Sequence, residues 1–452
     1  MIITILATLF VLGVLVFVHE LGHYWAARKV GIRVLKFSLG FGPKLIGFKK
    51  GDTEYLISAL PLGGYVKLAG EEAFEDNYQA QPGDYMAAPW WGRVFMAFMG
   101  PAVNLIFAFL LFILIGFIGI RVPDFAPVVS KVQDGTAAQQ MGIRPGDIIA
   151  SIQGRAISSW HQIQLVTDSL ARARTADALT VGIAREGAVS ELKASSTGEN
   201  PWHAGLEPSI QPQLGEVTLG MPAYQAGLTK GDLVLSINGQ PVNSWDEMRL
   251  TIYKNADKEV GLKVLRQGDT LDLKVVPMEQ DLPGYGKVGV IGVTPVQFGS
   301  YKIRLGPVES LTAAFLNTAS IVGRTYSLLA NIATKPKNAK QLGGIMMIGQ
   351  MAGQTAQKGF SDLLFLMAVL SISLMVINLL PLPIMDGGVI FFCLLEGLRK
   401  KPLSNKVQMV LQQIGFGLII MLFAWTIFND SMRIFNRHSA LKDQGQQQEQ
   451  GK

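Results

Sequence analysis

Five consecutive residues, His19-Glu20-Leu21-Gly22-His23, have the types and spacing to do chemistry. On an α-helix, histidines at i and i+4 leave one face a single turn apart, so both imidazoles reach one metal ion. The glutamate beside the first is placed to take a proton from a water on that ion. The pattern is that of zinc-assisted hydrolysis. Its setting matters as much as its composition. It ends an unbroken apolar run over residues 2–18. Three ionisable side chains at that depth in a bilayer are costly unless they face a polar interior with partners.

A hydrolytic zinc site needs three protein ligands and one open position. The other histidines are His161, His203 and His438. The first two fall in a long middle segment between apolar runs, and the third in a polar tail. Cys393 is the single cysteine, which excludes a disulfide framework and a cysteine-rich zinc site. A carboxylate must complete the set, and Asp386, in Asn378-Leu-Leu-Pro-Leu-Pro-Ile-Met-Asp386, is the candidate. Depth supports it. Residues 2–18 carry a helix about 26 Å before His19. The run over 363–385 reaches Asp386 after 23 residues, with Pro381 and Pro383 breaking the helix near its end. Both arrive in the same part of an apolar layer roughly 30 Å thick. Unwound backbone is tolerated there only where protein or a water cavity lines it.

These residues must be held by membrane helices. Hydrophobic residues make up 49% of the 452-residue chain and charged residues only 16%, a membrane-protein balance. The net charge of +6 is no nucleic-acid signal, because the basic residues flank the apolar runs. Four runs are long enough to span: 2–18 (continuing past His23), 94–120, 363–385 and 407–429. The first run is too long for a signal peptide, has no basic region before it and no small-residue cleavage site after it, and is read as retained. Nine basic residues separate runs one and two; Arg399, Lys400, Lys401 and Lys406 separate runs three and four. Both connections should be cytoplasmic, leaving the termini and the middle segment on the other side.

The middle segment repeats. Residues 134–147 recur as 219–232, and the match runs on to Ser159-Trp160 against Ser244-Trp245 at a constant offset of 85 residues. Each copy reads as a short helix, a Gly-Asp turn, an apolar strand and a glycine turn. The pattern resembles two tandem PDZ domains of bacterial envelope proteases, a fold that binds extended peptides by strand addition. Residues 306–332 place Leu311, Phe315, Val322, Leu329 and Ile332 near one helical face, expected to lie on the membrane or to pack on the domains. Beyond Arg437 the chain is Gln-rich, and disorder is expected.

Taken together, the HExxH run, Gly100-Pro101-Ala102-Val103-Asn104 in the second span, and NxxPxPxxDG ending at Asp386-Gly-Gly resemble the site-2 protease family of intramembrane zinc metalloproteases. Tandem PDZ domains after the second of four spans are similar to its RseP-like branch. The resemblance implies a polytopic α-helical membrane protein with two small α/β PDZ domains and a membrane-associated β-sheet. It implies Zn2+ on His19, His23 and Asp386, with Glu20 catalytic. Asn378, Asn104, Pro383, Gly63 and Gly64 would bind substrate or support the site. Met385 stands where the family commonly has Leu. The strand-like stretch 53–67, turning at Pro61-Leu62-Gly63-Gly64, would lie beside the active site, where an exposed edge can pair with an unwound substrate.

The implied substrates are pre-cleaved single-span membrane proteins, an anti-sigma factor and remnant signal peptides, in a bacterial inner membrane. The expected domains are 1–27, first span; 28–93, cytoplasmic loop with strands; 94–120, second span; 121–208 and 209–298, PDZ domains; 299–360, interfacial segment; 361–386, third span; 387–406, connection; 407–429, fourth span; and 430–452, tail. The competing readings are a non-catalytic PDZ scaffold in the membrane and, more weakly, an ion transporter, for which the chain lacks a repeated membrane half.

Overall fold

The computed structural model describes residues 2–71, 80–173, 178–195, 202–203, 205–282, 285–334, 344–401 and, within 407–432, all but 408, 412, 419, 422, 423 and 430. In chain order the helices are α1 (Ile2–Lys29), α2 (Trp90–Ile118), α3 (Ala137–Gln140), α4 (Trp160–Ala173), α5 (Pro222–Gln225), α6 (Trp245–Tyr253), α7 (Pro307–Thr334), α8 (Ile345–Lys358), α9 (Phe360–Asn378) and α10 (Asp386–Arg399). Two units separate. One comprises Met1–Ile120 with Arg304–Ser431, the other Arg121–Ile303 with the chain's end.

In the first unit α1, α2 and α9 are long and apolar enough to cross a membrane. Lipid is as apolar as leucine, so such helices associate by close packing rather than by the hydrophobic effect. The contacts accordingly fall on small residues. Ala108, Ala314, Ala352 and Ala368 are fully buried in the core shared by α1, α2, α7, α8 and α9. A Cβ on Gly22 of α1 would overlap the Met99 carbonyl of α2, and one on Gly353 of α8 would overlap Thr4. Large side chains such as Leu6, Ile106 and Leu110 point outward.

Helix α7 has the length expected for residues 306–332 but splits the expected face. Val322 and Leu329 pack on the core, whereas Leu311 and Phe315 are exposed. Its inward residues in the first turns are Ser310 and Ala314, close-contact positions that a search for large apolar residues passes over. Residues 345–358 form a helix of their own, packed on α1. The described residues of the fourth run, 407–429, are helical; the tail from 433 lies outside the described residues.

The third span differs from expectation at its end. Helix α9 stops at Asn378, residues 379–385 are unwound, and Asp386 opens a new helix, α10, where a connection over 387–406 was expected. Proline supplies no amide hydrogen, so Pro381 and Pro383 cannot continue the ladder, while an aspartate is favoured in a first helical turn. Gly387 and Gly388 let α10 start against its own approach. A Cβ on either would strike the carbonyls of Leu379, Leu380 or Leu382.

Between α1 and α2 lie β1 (Val34–Lys50) and β2 (Thr53–Leu68). Each doubles back, so two long strands make four sheet segments. Residues 44–50 pair antiparallel with 53–58, and 34–39 pair antiparallel with 64–68. Lys36↔Glu54 to Leu39↔Ile57 advance in the same direction and join the halves. Gly40, at φ +93, makes the first reversal; a side chain there would also strike the Leu60 carbonyl. Ser38 and Ser58 satisfy each other across the buried join. An aromatic row, Phe48–Tyr55–Phe37, runs across the sheet to Phe17 and Tyr24 of α1 and fixes it beside the HExxH turn.

The second unit contains one arrangement twice. The four-stranded sheet ordered 155–156, 148–152, 178–185, 188–195 has the same order as 240–241, 233–237, 260–266, 269–275. Both carry a β-bulge at the same place, between Ile149 and Ser151 and between Val234 and Ser236. The repeated Gly-Asp is more than a turn. Asp147 and Asp232 are buried, accept the amide hydrogens of Arg144 and Thr229, and are gripped by Arg185 and Arg266 at 2.7 Å. Each arginine also holds a carbonyl, Gly142 or Gly227, and so ties the helix end to the sheet.

Candidate active site

His19 and His23 lie one turn apart on the buried face of α1, their Nε2 atoms 3.2 Å from each other. Asp386, the first residue of α10, sets Oδ2 at 3.3 Å from His19 Nε2 and Oδ1 at 3.3 Å from His23 Nε2. Among the described residues these three form a group able to hold a metal ion, with ligand atoms all within 4.8 Å of one another. The fit to zinc can be tested on these distances. Bonds of about 2.0–2.1 Å in a tetrahedron put neighbouring ligand atoms roughly 3.3 Å apart; here the two imidazole nitrogens are 3.2 Å apart and each faces its own Asp386 oxygen at 3.3 Å. Asp386 Oδ2 is also buried without a hydrogen-bond partner. A buried carboxylate oxygen in that condition is costly unless a cation meets it.

The surroundings are built for these rings. His23 Nδ1 lies 2.9 Å from the Met96 carbonyl, which can only accept, so the ring is protonated at Nδ1 and presents a lone pair on Nε2. Gly100 of α2 lies flat against both imidazoles; a Cβ there would come within 2.2 Å of His23 Nε2. Asn104, one turn further along α2 and fully buried, approaches His19 Nδ1 at 3.1 Å. Ser371 of α9 donates to the Asn104 carbonyl at 2.8 Å. Asn378, at the end of α9, brings its amide within 3.2 Å of His19 Nε2.

Glu20 is buried and lines a cavity of about 390 Å³ together with the three candidate ligands. Gly64, Tyr65 and Val66 form one wall and Pro383 part of another. The absence of a side chain on Gly64 matters, since a Cβ would come within 3.1 Å of Glu20 Cγ and closer still to Val16. Gly63 sits outside the cavity lining, against the Phe41 ring. The far end is polar. Arg93 of α2 is paired with Glu396 of α10 there, beside Tyr85 and Cys393.

Of the residues singled out in the sequence, Lys406 and His438 lie outside the described residues. His19, His23, Asp386, Glu20, Asn104 and Asn378 converge, Pro383 and Gly64 line the cavity, and Gly63 supports the sheet. His161 and His203 belong to the second unit. Sequence reasoning missed what Gly100, Met96, Ser371 and the Arg93–Glu396 pair contribute. Gly100 was visible within its motif, and a glycine one turn before a buried Asn is a signal of close helix approach. Glu396 was hidden because α10 was not expected to be a helix, so no face could be assigned to it.

The profile of peptidase family M50 matches residues 7–422. The chain is 32% identical to the Regulator of sigma-E protease RseP of Escherichia coli over 450 residues, covering 94% of this chain and 97% of that one. It is equally identical to the RseP of Salmonella typhimurium over 454 residues, with 95% and 98% covered. A Vibrio cholerae protein that carries a zinc metalloprotease name is 32% identical over 450 residues, with 95% and 98% covered. A family profile over nearly the whole chain, joined to full-length likeness to proteases of this kind, shows that the chain belongs to peptidase family M50, the site-2 proteases, and is a metalloprotease.

Proposed function

We propose that this protein is an intramembrane zinc endopeptidase that cuts peptide bonds within the membrane-spanning segments of single-span proteins already trimmed by an earlier cleavage. The observation that carries this reading is the convergence, at zinc-ligand spacing, of His19 and His23 on a helix apolar enough to cross a bilayer with Asp386 at the first residue of α10, and Glu20 beside them. When bound, zinc supplies Lewis acidity towards a water and the scissile carbonyl. Glu20 accepts the proton that the attacking water gives up and returns it to the leaving nitrogen as the C–N bond breaks. The Asn378 amide donates to the oxygen on which negative charge builds. Residues 64–66 offer strand backbone to the substrate, which must unwind to expose its peptide bond.

The rest of the chain fits that chemistry. The second unit comprises two PDZ domains that gate substrates by size or bind their ends outside the membrane. On this reading the chain has four spans, with those domains and both termini in the periplasm of a bacterial inner membrane and the cavity towards the cytoplasm. The relatives' name, regulator of sigma-E protease, supports an anti-sigma factor as one substrate; leftover signal peptides have the same single-span form. The test is incubation of the purified protein with a single-span peptide, with and without a chelator. Metal-dependent cleavage within the apolar segment is expected. An intact peptide beside stoichiometric zinc would favour a PDZ scaffold instead.

A further inference from the structure

We infer that Asn104 is a positioning residue that decides which nitrogen of His19 faces the metal, its side-chain oxygen accepting a hydrogen bond from Nδ1–H. The inference rests on His19, His23 and Asp386 being the zinc ligands. A neutral imidazole carries one proton, and the nitrogen that bears it has no lone pair to give. A histidine that ligates through Nε2 therefore holds its proton on Nδ1, and a buried N–H needs an acceptor. His23 meets that condition through the Met96 carbonyl.

His19 has the same requirement, because its Nε2 is the atom that converges with His23 and Asp386. At its Nδ1 stands the Asn104 side chain, with Nδ2 at 3.1 Å. An amide NH2 only donates. In that orientation Nδ1 must accept and the ring proton goes to Nε2, pointing into the space the metal would take and towards the Asn378 amide nitrogen at 3.2 Å, itself a donor. Asn104 Oδ1 is at the same time buried with no hydrogen-bond partner. Two faults share one remedy. A half-turn of the amide exchanges its oxygen and nitrogen, gives Oδ1 the Nδ1 hydrogen, and returns the lone pair to Nε2. Asn104 is fully buried and its backbone carbonyl accepts from Ser371 of α9, which holds this turn of α2 in place beside His19. The residue touches no reacting atom; it acts through His19.

Two variants of the full-length protein in detergent separate this role from simple packing. Asn104→Asp keeps an acceptor at Nδ1 and is expected to keep zinc affinity, measured by competition with a chelator. Asn104→Leu fills similar space without an acceptor and is expected to weaken zinc binding by about 10- to 100-fold with unchanged helix content. Ring-15N labelling of the five histidines supplies the spectroscopic signature. Zinc-loaded wild-type protein should show His19 protonated at Nδ1.

An unprotonated His19 Nδ1, or equal zinc affinity in Asn104→Leu and wild type, overturns the inference and leaves the ligand set standing. Equal loss in both variants does the same. Absence of zinc from the wild type itself overturns the ligand set and this inference with it. If Asn104→Leu fails to fold, the wild-type ring signature and Asn104→Asp still decide.

Discussion

Gly100 and His23 stand in a contact that only glycine permits, since a Cβ at residue 100 would lie 2.2 Å from His23 Nε2 and 2.9 Å from His19 Cε1. Gly100→Ala must therefore displace the rings or part the helices. Misplacement of a reacting group by about 1 Å costs on the order of a hundredfold in rate. Zinc content and peptide cleavage should both fall, cleavage by about that factor, while circular dichroism stays unchanged. Wild-type zinc affinity in Gly100→Ala would show that α2 yields more easily than this packing implies.

Glu20 lines the cavity but lies outside the trio of candidate ligands. Glu20→Gln should retain zinc and lose peptide cleavage by about 10²- to 10⁴-fold, the range of a general base. Undiminished hydrolysis would remove Glu20 from the proposed role, and loss of zinc as well would make it a ligand.

Arg93 and Glu396 form a partly buried pair between α2 and α10, with side chains 7% and 20% exposed. Glu396→Ala strands the arginine charge and should destabilise the protein by about 3 kcal/mol, measured by unfolding in detergent. The double variant Arg93→Met with Glu396→Leu removes both charges and should recover most of that loss. A double variant as unstable as the single one would point to packing rather than charge.

His203 lies against Trp202 in the second unit. Burial holds its imidazole below the ordinary value, with Asp168 opposing. The unfolded chain then binds the proton first as pH falls through about 6.5. The sign follows: local stability is complete above that pH and declines below it, down to the depressed value. Hydrogen exchange around Trp202 should quicken between pH 7.5 and 5.5 beyond the intrinsic change, and His203→Phe should remove the excess. Exchange slowed by acid in the wild type would reverse the assignment.

The gating role of the second unit has a separate test. Deletion of residues 127–293 should widen the range of substrates cut to include precursors with intact outer domains. Continued resistance of those precursors would end the filter reading.

Much of this protein was legible before any coordinates, for a local reason. The i, i+4 spacing of His19 and His23 is a property of one helix, and the duplication at 134–147 and 219–232 is a property of the string itself. Depth counting along two apolar runs brought Asp386 to the level of the histidines. The break at Pro381 and Pro383 was readable too, but the helix that starts at Asp386 was not. Its polar positions, Glu396 among them, look like a charged connection until α10 gives them a face.

What tertiary structure alone decided is rotation. Helices α1 and α9 are apolar on nearly all sides, so their sequences carry no stripe to say which side meets α2. Only the packing shows Gly100 under two imidazoles, Asn104 at His19 Nδ1 and Ser371 behind it. The folded-back pairing of β1 and β2 was hidden for a related reason, because alternation fixes the two faces of a strand but not which neighbour each edge will find.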